Sequence, residues 1–496
     1  MSSEVLLILA IAVPLAGAAA IAALGRQPNI REAATLITAA LLFLVNIGLV
    51  VAVAGGERPD IAAFDFVPGA AIALSAEPLG ALFGLLASGL WIVTSIYSIG
   101  YMRGAGEKNQ TRFYAFFAIA LTCTMGIAFS RNLMTLFVFY ELLSLSTYPL
   151  VIHAGTEEAR RGGRVYIGIL MASSIAFLLF AILWTWTLAG TLEFALGGIL
   201  ADAASPLVLS ALLVLYLFGI AKAGLMPLHR WLPAAMVAPT PVSALLHAVA
   251  VVKAGVFAVL KIAVFVFGID TLSEIGGSRF FLYLAAATVI TAGVIALRQD
   301  NLKRRLAYST VSQLGLIVLA AMTANALGVV GGAMHIATHA FAKITLFFAA
   351  GAIYVAAHET EISGMRGIGR TMPWTMTFFL IGALSVIGLP PAGGLWSKWT
   401  IALSALAIED YVLLAVLLAS SLLSVGYLMP VVVRAFFAPF TDGAAASPAT
   451  TSPIREAPPF MLAAMAVSAA GCIVLFFWPG PLFRFAALLF PGGVAP

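Results

Sequence analysis

Six ionisable side chains stand in stretches of this sequence that are otherwise apolar. Glu141 lies near the middle of the run between Asn132 and His153. Lys222, Lys253, Lys261, Lys343 and Lys398 are the five basic residues that fall in no polar segment. A charge held in hydrocarbon costs at least ~2.5–3.5 kcal/mol, so such residues usually face the interior of a helix bundle and mark the path of an ion or substrate. Taken out of water, a lysine holds its proton less firmly, and a carboxylate moving beside it restores the hold. Glu141 approaching or leaving Lys222, Lys253, Lys343 or Lys398 would switch proton affinity, which is chemistry suited to moving protons. Lys261 is set apart: it stands seven residues short of the end of its run, where its ammonium is expected to reach for the membrane surface.

Histidines extend the set. His335, His339 and Lys343 follow at i, i+4 and i+8, along one stripe of a helix. His247 and Lys253, six apart in sequence, are separated by about 240° around an ideal helix and share no tight face, though each can line a cavity. With ordered water in the gaps, these groups form a relay across a hydrated axis. A metal site is poorly supported, since neither an HExxH motif nor a local carboxylate or cysteine accompanies the histidine pair. Haem would need a facing axial ligand, for which His247 is the one deeply placed candidate. Two hydrogen-bonded packing histidines are the plain alternative, and Lys343 on the same stripe favours the relay over them.

The elements that position these residues are membrane helices. Of the 496 residues 62% are hydrophobic and 9% charged, which excludes a soluble enzyme, a disordered chain and a fibrous repeat. The expected fold is an all-α polytopic membrane protein of about 14 spans, starting near residues 4, 33, 78, 112, 132, 164, 205, 241, 279, 305, 326, 372, 411 and 459. Met1-Ser2-Ser3-Glu4 lacks the basic start of a cleaved signal, so the first helix is expected to be retained. Loops on one side carry seventeen Lys and Arg, among them Arg103, Lys108, Lys303 and Arg305; those on the other carry Arg58, Arg131, Arg279 and Arg484 alone. The positive-inside rule then places both termini on the non-cytoplasmic side of a cell (inner) membrane. It also assigns the formal charge of +5 to the membrane and not to nucleic acid.

Two spans are interrupted beside a lysine. The seventh runs from Lys222 through Gly224 to Pro227 and Pro233, and the twelfth contains Gly388, Pro390, Pro391, Gly393 and Gly394 before Lys398. Broken backbone at membrane depth is tolerated where it is buried or lines a cavity, and paired breaks point to a transport site. The two spans are five apart and so cross in opposite directions, as inverted five-helix repeats of spans 4–8 and 9–13 require. The domain boundaries follow: a three-helix region over 1–110, half-channels over 111–270 and 271–440, and a cytoplasmic loop with the last helix over 441–496. Unrelated packing kinks are the alternative, and the adjacent lysines disfavour it.

Enzymatic motifs are lacking: the sequence has neither a Walker A nor a GxGxxG, zinc or nucleophile-elbow pattern. Cys123 and Cys472 are expected to pack inertly, and Gly80 with Gly84 to form a helix contact. Few intramembrane polar groups remain to recognise a solute, which disfavours an independent carrier. A scaffold with a vestigial channel would have lost relay residues that stand here.

Several motifs carry a family resemblance. Phe139-Tyr140-Glu141-Leu142, Lys222 to Pro233, Ala238 to His247, Val252-Lys253-Ala254-Gly255-Val256, Leu306 to Gln313, His335 to Lys343, Gly388-Leu389-Pro390-Pro391 and Lys398 resemble the antiporter-like subunits of respiratory complex I (NADH-quinone oxidoreductase), of Mrp-type cation/proton antiporters and of membrane-bound hydrogenases. The resemblance spans roughly residues 78 to 435 and implies a fourteen-helix core with two inverted repeats. It also implies a proton-translocating subunit of a hetero-oligomeric complex that moves protons and, in antiporters, Na+ or another monovalent cation. It implies an ion pair of Glu141 with Lys222, Lys253 as the connecting residue, His335, His339 and Lys343 along the axis, and Lys398 at the exit of the second half-channel. Flavin, haem and iron-sulfur centres are absent from the family, so no cofactor is expected. Ala234 departs from relatives that carry an acidic or amide residue after Trp231-Leu232-Pro233.

Overall fold

The computed structural model describes residues 2–67, 70–245, 250–438, 454–490 and 492–494. Eleven of its helices are long and apolar enough to cross a membrane. Six precede the first break: α1 (Ser3–Ala23), α2 (Pro28–Ala54), α3 (Pro78–Gly104), α4 (Gln110–Ala128), α5 (Leu133–Val151) and α6 (Glu157–Ala189). The apolar helix α7 (Pro206–Gly219) leads into that break, and α8 (Val251–Ile262) follows it. Then come α9 (Gly276–Leu297), α10 (Leu302–Met322), α11 (Ala326–Ala357), α12 (Pro373–Ile387), α13 (Gly394–Ala407), α14 (Tyr411–Phe437) and α15 (Pro459–Phe477).

The long helix α11 runs through the middle of the bundle, against α3, α8, α10, α12, α13 and α15. Its small residues allow that crowding: a Cβ on Gly331 would come 3.0 Å from the Ile401 nitrogen of α13. The outer faces of α2 and α14 carry Leu44, Val51, Leu418 and Leu422, all exposed, as expected of surfaces that meet lipid acyl chains instead of water. Gly80 and Gly84 pack as expected, against the Ala128 carbonyl and against Asn46 and Phe129.

Not all of the chain is helical. Residues Asp60–Val67 (β1) and Ala70–Ser75 (β2) form an antiparallel hairpin, with Asp60 opposite Ser75 and two bulges along the way. Its second strand docks on the corner between α4 and α5, where the Ser75 nitrogen donates to the Phe129 carbonyl (2.7 Å) and the Arg131 nitrogen to the Ala73 carbonyl (3.0 Å). The loop expected after α14 lies largely outside the described residues. Its last part is tied down: Glu456 accepts hydrogen bonds from Thr375 Oγ1 (2.6 Å) and the Trp374 nitrogen (2.7 Å).

Both interruptions are present, and the first falls earlier than expected. Helix α7 ends at Gly219, so Lys222 sits within the break, in a single 3-10 turn (Ala221–Ala223) closed by Gly224 in the left-handed region (φ +71°). A glycine at positive φ cannot continue a helix, whereas Pro227 stands too far along to end it. Helix α12 stops before Gly388 (φ +90°), and α13 restarts at Gly394, leaving Lys398 one turn inside the second piece. Each break contains a cis prolyl peptide, Met226-Pro227 and Pro390-Pro391.

Candidate functional site

Lys222 is fully buried. Its ammonium donates to Ser144 Oγ (2.7 Å) and to the Tyr140 carbonyl (2.8 Å), both on α5, and lies 3.2 Å from the centre of the Tyr140 ring. The hydroxyl of Tyr140 in turn accepts from the Lys222 nitrogen at 3.2 Å, so one tyrosine holds the turn and its charge together. Trp231 Nε1 pins the same turn by donating to the Ala221 carbonyl (2.9 Å).

The ion pair implied for Glu141 and Lys222 is not formed. Glu141 is the next residue along α5, yet its carboxylate oxygens are shielded from water and accept no hydrogen bond from the ammonium. One helical residue, about 100°, separates Tyr140 from Glu141, so the two side chains leave α5 in different directions.

Helix α8 approaches the Lys222 turn closely enough that only glycine fits: a Cβ on Gly255 would come 2.3 Å from the Lys222 carbonyl carbon. Two residues earlier on α8, the buried Lys253 ammonium makes a short hydrogen bond with His339 Nδ1. The rings of His339 and His335 stack at 5.7 Å with an interplanar angle of 11°, as the i, i+4 spacing predicts. His335 Nδ1 lies 2.9 Å from Ser397 Oγ, to which Thr338 Oγ1 is equally near, and Ser397 immediately precedes Lys398. Polar contacts thus join α8 to the second broken helix through α11.

Lys398 reaches back across its own break, donating to the Ile387 carbonyl at the end of α12 (3.0 Å) and to Ser421 Oγ (3.0 Å). Lys343 is buried against α10, donating to Ser309 Oγ (2.6 Å) and the Leu306 carbonyl (3.2 Å). Ser309 Oγ donates in turn to the Tyr427 hydroxyl (2.9 Å). Pro227, Pro390 and Pro391 lie within the breaks. His247 lies outside the described residues. Among the described residues, no group of three or more His, Cys, Asp or Glu is gathered where it could hold a metal ion.

Lys261 does not reach for the membrane surface. It is buried, donates to the Ser130 carbonyl (2.6 Å) and pairs with Glu77 Oε1 at 3.4 Å, with the rings of Phe194 and Phe257 beside it. Glu77 precedes Pro78 and reads as part of a polar loop, yet its carboxylate both meets Lys261 and caps α3 through the Leu79 and Gly80 nitrogens. Sequence reasoning also assigns no role to Tyr140, Ser144, Ser309, Ser397, Ser421 and Tyr427. Their shared signal is a hydroxyl one or two helical turns from another hydroxyl in an apolar span.

Residues 130–424 match a family model described as NADH:quinone oxidoreductase/Mrp antiporter, transmembrane. An NADH-quinone oxidoreductase subunit of Desulforudis audaxviator is 32% identical over 417 residues, covering 82% of this chain and 81% of that protein. A Na(+)/H(+) antiporter subunit of Alkalihalophilus pseudofirmus is 30% identical over 369 residues, covering 74% and 73%. A chain in the Mrp complex of Dietzia sp. superimposes with a TM-score of 0.86 at 21% identity, over 99% of this chain and 97% of that one.

Proposed function

Because the chain belongs to the family of NADH:quinone oxidoreductase and Mrp antiporter transmembrane subunits, we infer that it is a proton-translocating, multi-pass membrane subunit of a multi-subunit complex. The observation that carries this reading is the line of buried contacts from Lys253 through His339 and His335 to Ser397, which joins the regions of the two broken helices. Every lysine on or beside that line is held by hydroxyls, carbonyls or an imidazole, all of which can stay in place when the proton leaves. Glu141, Lys222, Lys253, Lys343 and Lys398 are the proton-carrying groups in this reading, with His247, His335 and His339 as supporting residues. Glu141 turns toward Lys222 only when proton transfer calls for it.

Fourteen crossings are taken in this reading: the eleven long helices, α7 with the turn after it, Thr240–Ala244 with α8, and α12 with α13 as one. Spans 4–8 and 9–13 are then the inverted repeats, residues 111–270 and 271–440 the half-channels, and the side rich in arginine the cytoplasmic one. Sequence relatives work in two settings, an NADH-quinone oxidoreductase and a Na+/H+ antiporter, so the driving force here is either redox chemistry in partner subunits or a cation gradient.

Reconstitution of the intact complex in proteoliposomes with a pH-sensitive dye tests the reading. Lys222→Ala and Glu141→Ala should each abolish proton flux while the complex still assembles, and wild-type flux in both would overturn it. Mass spectrometry of the copurifying subunits, with an absorption spectrum, separates the two driving forces. Flavin or iron-sulfur subunits mark a redox pump; only cofactor-free membrane subunits mark an antiporter.

A further inference from the structure

A cavity of roughly 220 Å³ opens between the loop joining α3 to α4, the segment that precedes α8, and the facing ends of α10 and α11. Tyr101, Glu107, Thr240, Lys303, Ala350 and Glu359 are on its wall, and it has room for several water molecules with polar groups to bind them. Two helices lead inward from it to the same ammonium. Ala350 and Lys343 are seven residues apart on α11, on one face and about 10 Å apart along the axis at ~1.5 Å per residue. Leu302, also on the wall, is one turn of α10 from Leu306, whose carbonyl accepts from Lys343 Nζ.

Glu107 stands at the outer edge of this cavity, half-buried. His153 Nε2 lies 3.9 Å from its carboxylate, and the His153 ring is buried with neither nitrogen hydrogen-bonded. Lys303, on α10, donates to the Ala238 carbonyl (2.5 Å) and is the positive charge that acts on Glu107; Tyr101 on α3, Tyr354 on α11 and Glu359 after it are the other ionisable groups on the wall, and Arg112 holds the His153 carbonyl from α4. Burial pushes the Glu107 carboxyl above the ordinary carboxylate range, against the pull of Lys303. Burial and Arg112 push the His153 imidazole below its ordinary range.

We propose that this cavity is the water-filled mouth through which protons pass from the cytoplasmic side to Lys343, with Glu107 the carboxylate that collects them. The proposal rests on the function inferred above and on its orientation. The wall explains why an acid stands among the basic loops of that side: a carboxylate at a mouth gathers protons, whereas lysines and arginines alone would repel them.

Two measurements on the assembled complex test it. Ala350→Cys, with the native Cys123 and Cys472 both buried, should react with a charged, membrane-impermeant methanethiosulfonate added on the cytoplasmic side, and the modification should slow proton flux. No reaction until the complex is unfolded, or reaction from the opposite side only, overturns the mouth. Glu107→Gln should lower flux about tenfold near neutral pH, the scale of electrostatic steering in a charged cleft, and flatten its pH dependence. Glu107→Asp should retain most of the flux and its pH profile, which a packing defect would not. Wild-type flux and profile in Glu107→Gln overturn the proposal when Lys222→Ala is inactive in the same assay. If Lys222→Ala also conducts normally, the inferred function itself fails.

Discussion

The two broken helices place their lysines differently relative to the interruption, one within it and one past it. In the first, Lys222 lies in the break and its ammonium crosses to a neighbouring helix, where Tyr140 and Ser144 receive it one residue from Glu141. In the second, Lys398 lies past the break and turns back onto the last carbonyl of α12, a position where the negative end of a helix favours a cation. Contact with α10, the proposed counterpart of α5, falls instead to Lys343, again through a serine hydroxyl and a backbone carbonyl. One half therefore combines in a single lysine what the other divides between two. Only the combined arrangement has a carboxylate on the adjoining helix, so only there can a moving acid alter the charge that holds the break.

If that difference matters, the lysines are unequal. Lys222→Ala removes the charge and its two bonds to α5, leaving only the backbone bond to the Tyr140 hydroxyl, and proton flux in proteoliposomes should fall to the level of empty vesicles. Lys398→Ala should also reduce flux sharply but leave more of it, because Lys343 keeps its contact with α10; the reverse order would break the comparison. The glycines sharpen it at the level of backbone. A Cβ on Gly255 would meet the Lys222 carbonyl carbon at 2.3 Å, and one on Gly394 the Ser385 carbonyl oxygen at 1.8 Å. These are backbone atoms that cannot swing aside, so Gly255→Ala and Gly394→Ala should each cost about 1–3 kcal/mol of stability, visible as a lower melting temperature of the purified complex. Gly255→Ala should in addition depress flux more than Gly394→Ala, since it displaces the lysine itself. Ser397→Ala comes next: losing one hydrogen bond to His335, worth about 1 kcal/mol, should slow flux about fivefold.

How much of this is legible in the sequence differs between the charges and their partners. The lysines and both breaks stand out because charge is rare in membrane spans and because glycine and proline cluster beside two of those charges, which is visible in a single sequence. What receives each ammonium is not visible. Ser144, Ser309 and Ser421 are ordinary residues for a membrane helix, and only packing tells a hydroxyl that takes a charge from one that bonds its own helix. Proline is the strongest helix breaker by residue type, which draws the first break toward Pro227, yet it is Gly224 that adopts the left-handed turn. The hairpin at residues 60–75 escapes because it is short and apolar, and its pairing with the α4–α5 corner is a long-range contact.

Lys261 and Glu77 offer the smallest expected effect on transport and the cleanest contrast with the relay. Their pair is buried at 3.4 Å and joins α8 to the start of α3, while the Ser130 carbonyl takes a second bond from the ammonium. Removing one partner of a buried pair strands the other, at a cost of about 3 kcal/mol or more. Glu77 is partly compensated by the two backbone nitrogens it caps, so the loss in Lys261→Ala should fall toward the lower end of that range. Proton flux per assembled complex should stay near wild type, and the loss should appear as a lower melting temperature. Lys261→Met, which fills the same aromatic pocket without charge, should recover part of the stability. Flux that falls with Lys261→Met as far as with Lys222→Ala would make this pair a member of the pathway and erase the distinction between lysines that carry protons and a lysine that holds helices together.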